Sequence, residues 1–206
     1  EFRRVLFRSE LGEVFAQGSA YGHERRLPLR PPAALMIVLP ILWAALTAAV
    51  LIGPLLLAAE NLAAGIPVAA IAVALGIVLP KRFHRLSRRW IVVVPAGLVL
   101  HDHVVLAETF LVPSKDVAGV GLALVGTQAA NLTGSAPGPV VEVRLRELQT
   151  TVLAAPPRGQ TKALHVQSYL VSPTRPGRTL QVLREAGIDR KSTRLNSSHI
   201  PLSRMP

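Results

Sequence analysis

Residues 33–59 read AALMIVLPILWAALTAAVLIGPLLLAA, 27 positions without one charged side chain. Past Glu60 and Asn61 a second apolar run occupies 62–79, LAAGIPVAAIAVALGIVL, 18 residues long. At about 1.5 Å per residue these helices would reach about 40 and 27 Å, against a hydrocarbon core of about 30 Å. A helix packed in a water-exposed domain keeps polar side chains on one face, and neither run does. A secretory signal peptide fits poorly, because the first apolar region is too long and a second follows it. The stretch 33–80 therefore reads as a two-helix transmembrane hairpin with spans at 33–59 and 62–79. Pro40, Pro54 and Pro67 are tolerable in lipid, where neighbouring groups satisfy the freed carbonyls. Neither run contains Asp, Glu, Lys, Arg or His, which disfavours an ion path or half of a transporter. Ala45 with Ala49, and Ala44 with Ala48, offer small-residue spacing for close helix contact.

The flanks predict an orientation. Arg25, Arg26 and Arg30 precede the first span, and Lys81, Arg82, Arg85, Arg88 and Arg89 follow the second, whereas the connection carries no basic residue. Basic residues stay on the cytoplasmic side of a membrane. The N-terminal segment 10–32 and everything after Pro80 are thus expected in the cytoplasm, with the hairpin tip outside. The linker 81–89 would set this topology, and its cations would also meet anionic lipid headgroups, each gaining about 1 kcal/mol near such a surface.

Beyond Trp90 the apolar period shortens. WIVVV at 90–94, LVL at 98–100, ETFLV at 108–112, VAGVGLAL at 117–124, VVEVRLREL at 140–148, TVLAA at 151–155 and LHVQSYLV at 164–171 read as strands, separated by Gly- and Pro-rich turns. In the clearest, Val141, Val143 and Leu145 alternate with Glu142, Arg144 and Arg146, the pattern of a half-buried strand. The segment SPTRPGRTLQVLREAGI closes this region: Thr174 is a candidate cap, Pro176 lies in the first turn, and Leu180, Val182, Leu183 and Ala186 form an apolar stripe. Six or seven strands and one helix over 90–188 predict the α+β class, as a small antiparallel barrel plugged by a helix.

With the hairpin, the basic segment KRFHRLSRRW, WIVVVPAGLVLHD, FLVPSKDVAGV and PTRPGRTLQVL on the page, the chain from Ala33 to Ile188 resembles a group of uncharacterised actinobacterial membrane proteins. The resemblance implies a pleckstrin-homology-like (PH-like) cytoplasmic β domain with a C-terminal helix, held at the bacterial plasma membrane. It carries no catalytic residues.

The two ends differ in character from the rest. Glu1 to Ser9, EFRRVLFRS, can be encoded by a DNA sequence whose reverse complement, in the frame that follows Ile188, encodes Asp189 to Asn196. Both peptides resemble translated sequencing-library adapter. Residues 1–9 and 189–206 are accordingly expected to be non-native and are set aside for fold reasoning. Since Met36 is the first Met, residues 10–188 are read as a fragment. The ends hold seven of the 23 basic and two of the 12 acidic residues, so the formal charge falls from +11 to +6. A nucleic-acid partner therefore loses its main support, and basic–aromatic interleaving is missing as well. Cys is absent, which excludes disulfides, thiolate nucleophiles and Cys-ligated zinc.

Few residues offer chemistry. His101, Asp102 and His103, with Glu108 nearby, have ligand-type side chains, but their spacing is unspecific and a polar turn accounts for it, so no metal is expected. GVGLALVG at 119–126 lacks the third Gly and the following helix of a dinucleotide fingerprint, and no cofactor is expected. Asn131, Leu132 and Thr133 match a glycosylation sequon on the side expected to be cytoplasmic. The sequence reads as a membrane-anchored binding or scaffolding module, non-enzymatic, with anionic headgroups or an unidentified protein as partner. The alternative is an enzyme or enzyme subunit acting on lipid or cell-envelope precursors, for which Asp102, Glu108, His165 and Tyr169 supply the candidate groups.

Overall fold

A computed structural model describes residues 14–188 apart from 19, 21, 23, 125 and 156–159. The adapter-like ends at 1–9 and 189–206 lie outside the described residues, as do residues 156–159.

Ahead of the hairpin runs a short strand, β1 (Arg25–Pro28), and the chain then forms two 26-residue helices, α1 (Ala33–Ala58) and α2 (Leu62–Ser87). At the tight turn between them Glu60 adopts φ 56° and the Asn61 side chain accepts a hydrogen bond from the Ala64 amide, capping α2. The helices run through Pro40, Pro54, Pro67 and Pro80. They meet through Leu39, Ala49 and Gly53 of α1 and Gly65 and Leu79 of α2. A Cβ on Gly65 would lie 2.7 Å from Leu57 Cδ2 and 3.2 Å from the Leu57 amide nitrogen, so the close approach depends on glycine. The small residues used are Ala49 and Gly53, whereas the expected Ala44, Ala45 and Ala48 face outward. From Ala33 to Ala58 and from Leu62 to Leu79 most of the remaining surface is apolar and open, and only 11% of the most apolar stretch of each helix is buried.

The β region holds two four-stranded sheets and one helix. The first sheet has the order β1-β2-β3-β4, with β2 (Trp90–Val94), β3 (Gly97–His101) and β4 (Phe110–Pro113) all antiparallel. Its edge strand β1 comes from ahead of the hairpin, pairing Arg25 with Val93 and Pro28 with Trp90. Leu27 and Leu29 point into the core, and Pro28, which lacks an amide hydrogen, is tolerated because the strand lies at an edge. A 3₁₀ turn, Ser114–Asp116, leads to the second sheet. Its order is β5-β7-β8-β6, from β5 (Val117–Leu122), β6 (Ala130–Asn131), β7 (Val141–Ala155) and β8 (Gln160–Val171), with β6 parallel to β8.

Between the sheets lies one apolar core that includes Ile91, Leu98, Leu100, Val112, Val141, Val143 and Val171. Helix α3 (Pro176–Glu185) buries Thr179, Val182 and Leu183 against it. Ala186, expected on that stripe, is exposed. Thr174 does not cap the helix: its hydroxyl donates to the Pro28 carbonyl at 3.2 Å, which ties the helix entrance to β1.

The closed barrel expected from the strand pattern is not found among the described residues. The segments expected as separate strands at 140–148 and 151–155 are one 15-residue strand with a register shift between Arg144 and Gln149. Its far half meets the first sheet's β3–β4 connection only at the bridge between Leu106 and Leu153, with the Ala107 amide on the Val152 carbonyl at 2.9 Å and the Ala154 amide on the Val105 carbonyl at 3.0 Å. One bridge replaces a full ladder at this corner, because bulged strands bend away from a partner.

Candidate functional site

The two helices join the β region at a buried ion pair. Arg89 Nε donates to Asp102 Oδ1 at 2.8 Å and Arg89 Nη2 to Asp102 Oδ2 at 2.7 Å. The same guanidinium reaches the carbonyl of Arg30 through Nη1 and that of Thr133 through Nη2 at 3.2 Å. The Asp102 carboxylate also accepts from the Val104 amide, and the Arg89 carbonyl accepts from the Leu29 amide at 2.9 Å. Both side chains are essentially fully buried. A charge so placed is stable only when paired and hydrogen-bonded, and here one arginine satisfies the chain entering α1, the end of β3 and the turn after β6 together.

Other cations near the hairpin divide into engaged and exposed groups. Arg30 Nη1 donates to the carbonyls of Pro137 and Pro139, and Arg25 lies 3.6 Å from Glu185. Lys81, Arg82 and Arg85 belong to the last turns of α2, which continues past Pro80, so most of the expected linker is helix. With Arg88 they are exposed, and among the described residues none of the four has an ion-pair partner. The five residues singled out from sequence thus separate into four exposed cations and one buried joint, Arg89.

Next to Arg88 a groove of about 280 Å³ opens on the outer face of the first sheet. Trp90, Val92, Val94 and Val99 make its apolar floor, while Glu24, Arg26, Arg88 and His101 stand at its polar rim. The Arg26 guanidinium lies 5.1 Å from the centre of the Trp90 ring and 3.1 Å from a Glu24 oxygen. The His101 ring stacks on Trp90, with centroids 5.7 Å apart, and meets His103 edge-on at 4.3 Å. Its Nδ1 is 3.2 Å from Thr109 Oγ1. Desolvation first, then His103, Arg88 and Arg26, hold the His101 imidazolium below its ordinary range, while Asp102 acts the other way. The sequence marked Arg26 only as a flanking cation and His101 only as a ligand-type side chain; their meeting at Trp90 was missed, because only strand pairing between β1 and β2 brings residues 24–26 beside 88–101.

The weighed metal site does not assemble. Asp102 is taken by Arg89, and no group of three or more His, Asp or Glu side chains suited to a metal occurs among the described residues. Nor do the four groups considered for catalysis converge. Asp102 is buried in its ion pair, Glu108 is exposed, and His165 Nδ1 sits 2.8 Å from Thr150 Oγ1 on the exposed face of β8. The Tyr169 hydroxyl is buried without a hydrogen-bond partner among the described residues, its phenol pushed far up by desolvation. Asn131 of the sequon turns its side-chain oxygen onto the amide and hydroxyl of Thr133, a local turn contact. Compared with protein-family models, curated proteins and solved structures, the chain matches none.

Proposed function

We propose that this chain is a membrane-anchored binding module: the α1–α2 hairpin spans the bacterial plasma membrane and holds the β region at its cytoplasmic surface, where the module engages a partner without turning over a substrate. The observation that carries the reading is the open apolar surface of both helices, which includes Ile37, Ile41, Trp43, Leu51, Leu55, Ile66 and Val73. An exposed patch of that size is unfavourable in water and favourable in lipid. Strand pairing across the hairpin supports it, since β1 and β2 flank the two helices and must share one side of any membrane the helices cross. The exposed cations Lys81, Arg82, Arg85 and Arg88 support the cytoplasmic side. The PH-like character of the β region rests on the strands-then-helix order and the sequence resemblance.

Because the chain has no Cys, single cysteines report topology directly. Cysteine at Glu60 is expected to react with a membrane-impermeant maleimide in intact spheroplasts, and cysteine at Gln181 only after permeabilisation. Release of the chain by carbonate without detergent, or the reverse labelling pattern, would overturn the reading.

A further inference from the structure

We infer that the groove between Arg26, Arg88 and His101 holds the phosphate of an anionic phospholipid headgroup, so that the outer face of the first sheet lies against the bilayer; this rests on the membrane-anchored reading above. The composition of the rim points to a phosphate. Two guanidinium groups and an imidazole come together from three separate elements, β1, the end of α2 and β3, and only Glu24 opposes them at the rim. Guanidinium is the side chain best suited to phosphate oxygens. A metal cation would be repelled by the same groups.

The source of the phosphate follows from position. Arg88 is the residue next after Ser87, which ends α2, so the groove lies where the helix enters the β region, just past the basic turns that follow the span. Lys81, Arg82 and Arg85 would already concentrate anionic lipid there. Trp90 at the groove floor has the amphipathic ring that settles at a membrane–water interface. Val92, Val94 and Val99 extend an apolar lining beyond the cationic rim, which suits the glycerol and first acyl carbons of a lipid better than a small hydrated anion. His101 faces Arg26 and Glu24 from β1, Arg88 from the end of α2, and Trp90, Asp102, His103 and Thr109 from its own sheet and the following turn. A phosphate would offset the surrounding positive charge and favour the imidazolium, so occupancy should rise on mild acidification.

Only two tryptophans are present, and with Trp43→Phe in place Trp90 reports alone. The full chain in nanodiscs of phosphatidylcholine with increasing phosphatidylglycerol is the test, using lipids brominated near the headgroup as short-range quenchers. Brominated phosphatidylglycerol is expected to quench Trp90 more than brominated phosphatidylcholine at equal mole fraction, and more at pH 6 than at pH 7.5. Arg88→Gln or Arg26→Gln should weaken the apparent affinity for phosphatidylglycerol by about fivefold each, and His101→Gln should remove the pH dependence. Arg88 is exposed, so its variant tests the inference even if Arg26→Gln disturbs β1. Equal quenching by the two lipids, or unchanged affinity in Arg88→Gln, would overturn it. So would inorganic phosphate or glycerol phosphate matching the lipid effect at equal concentration, which would make the ligand a free phosphate. A chain that does not enter nanodiscs at all would defeat the membrane reading instead.

Discussion

Arg89 and Asp102, 13 positions apart, close a buried two-point ion pair at the place where both chain crossings of the helical hairpin meet the β region. Removing one partner of such a pair strands the other, at a cost of about 3–5 kcal/mol, whereas removing both at matched volume costs much less than the sum. Arg89→Met and Asp102→Leu are each expected to lower the unfolding midpoint strongly in detergent, and the double variant to be no worse than the poorer single. Because Arg89 also serves the Arg30 and Thr133 carbonyls, the double variant should still fall below the parent. Additive losses in a double-mutant cycle would show that the two charges do not act as a unit.

Gly97 sets how closely β3 crosses the end of β4. An added Cβ would lie 2.1 Å from the Val112 carbonyl oxygen and 2.9 Å from the Pro113 Cα, both backbone positions that cannot swing aside. Gly97→Ala should destabilise the fold by about 2 kcal/mol or more, within the range for overpacking a tight site. Thermal unfolding followed by near-UV circular dichroism checks this, and a midpoint within a degree of the parent would contradict the strand geometry.

Tyr169 buries its ring edge-on against Phe110 while its hydroxyl has no hydrogen-bond partner among the described residues. An unsatisfied buried hydroxyl costs about 1–3 kcal/mol, so Tyr169→Phe should leave stability unchanged or raise it. A clear loss on chemical denaturation would reveal a bound partner for that oxygen.

His101 predicts a pH response with a definite sign. Its folded-state value lies below the ordinary 6.5, so as the pH falls through that value the unfolded chain takes up the proton first. The stability tied to this site is therefore complete above pH 6.5 and declines below it, in the absence of an anion. His101→Gln should flatten that part of the stability–pH profile measured in neutral detergent, and an unchanged slope would assign the response to other groups.

The helices and most strands were legible because apolar runs and period-two alternation are local properties. WIVVV, LVL and LHVQSYLV lie within observed strands, and Val182 and Leu183 face the core as the stripe predicts. Three features escaped the local patterns. RRLP at 25–28 is too short and too basic to read as a strand, and only its pairing with Trp90–Val93 makes it one. The apolar run ended at Leu79 and residues 81–89 read as a linker, yet α2 continues through Pro80 to Ser87, a charged stretch outside that run. Arg89 read as the last of five surface cations, but Asp102 beyond the β2–β3 hairpin draws it inside. The groove was invisible for the same reason, with its rim residues on the β1 and α2 sides 62 or more positions apart.

The placement of β1 ahead of the hairpin also fixes an order of assembly. During synthesis residues 25–28 emerge before the hairpin and must wait, unpaired, while both helices are made, since their partner strand is translated only afterwards. The ribosome thus delivers a sheet whose outermost strand is completed retrospectively, and if the helices cross a membrane as proposed, a failed insertion would leave that strand on the opposite side from its mate. On the membrane-spanning reading proposed above, correct threading of the hairpin would thereby be a precondition of the finished first sheet.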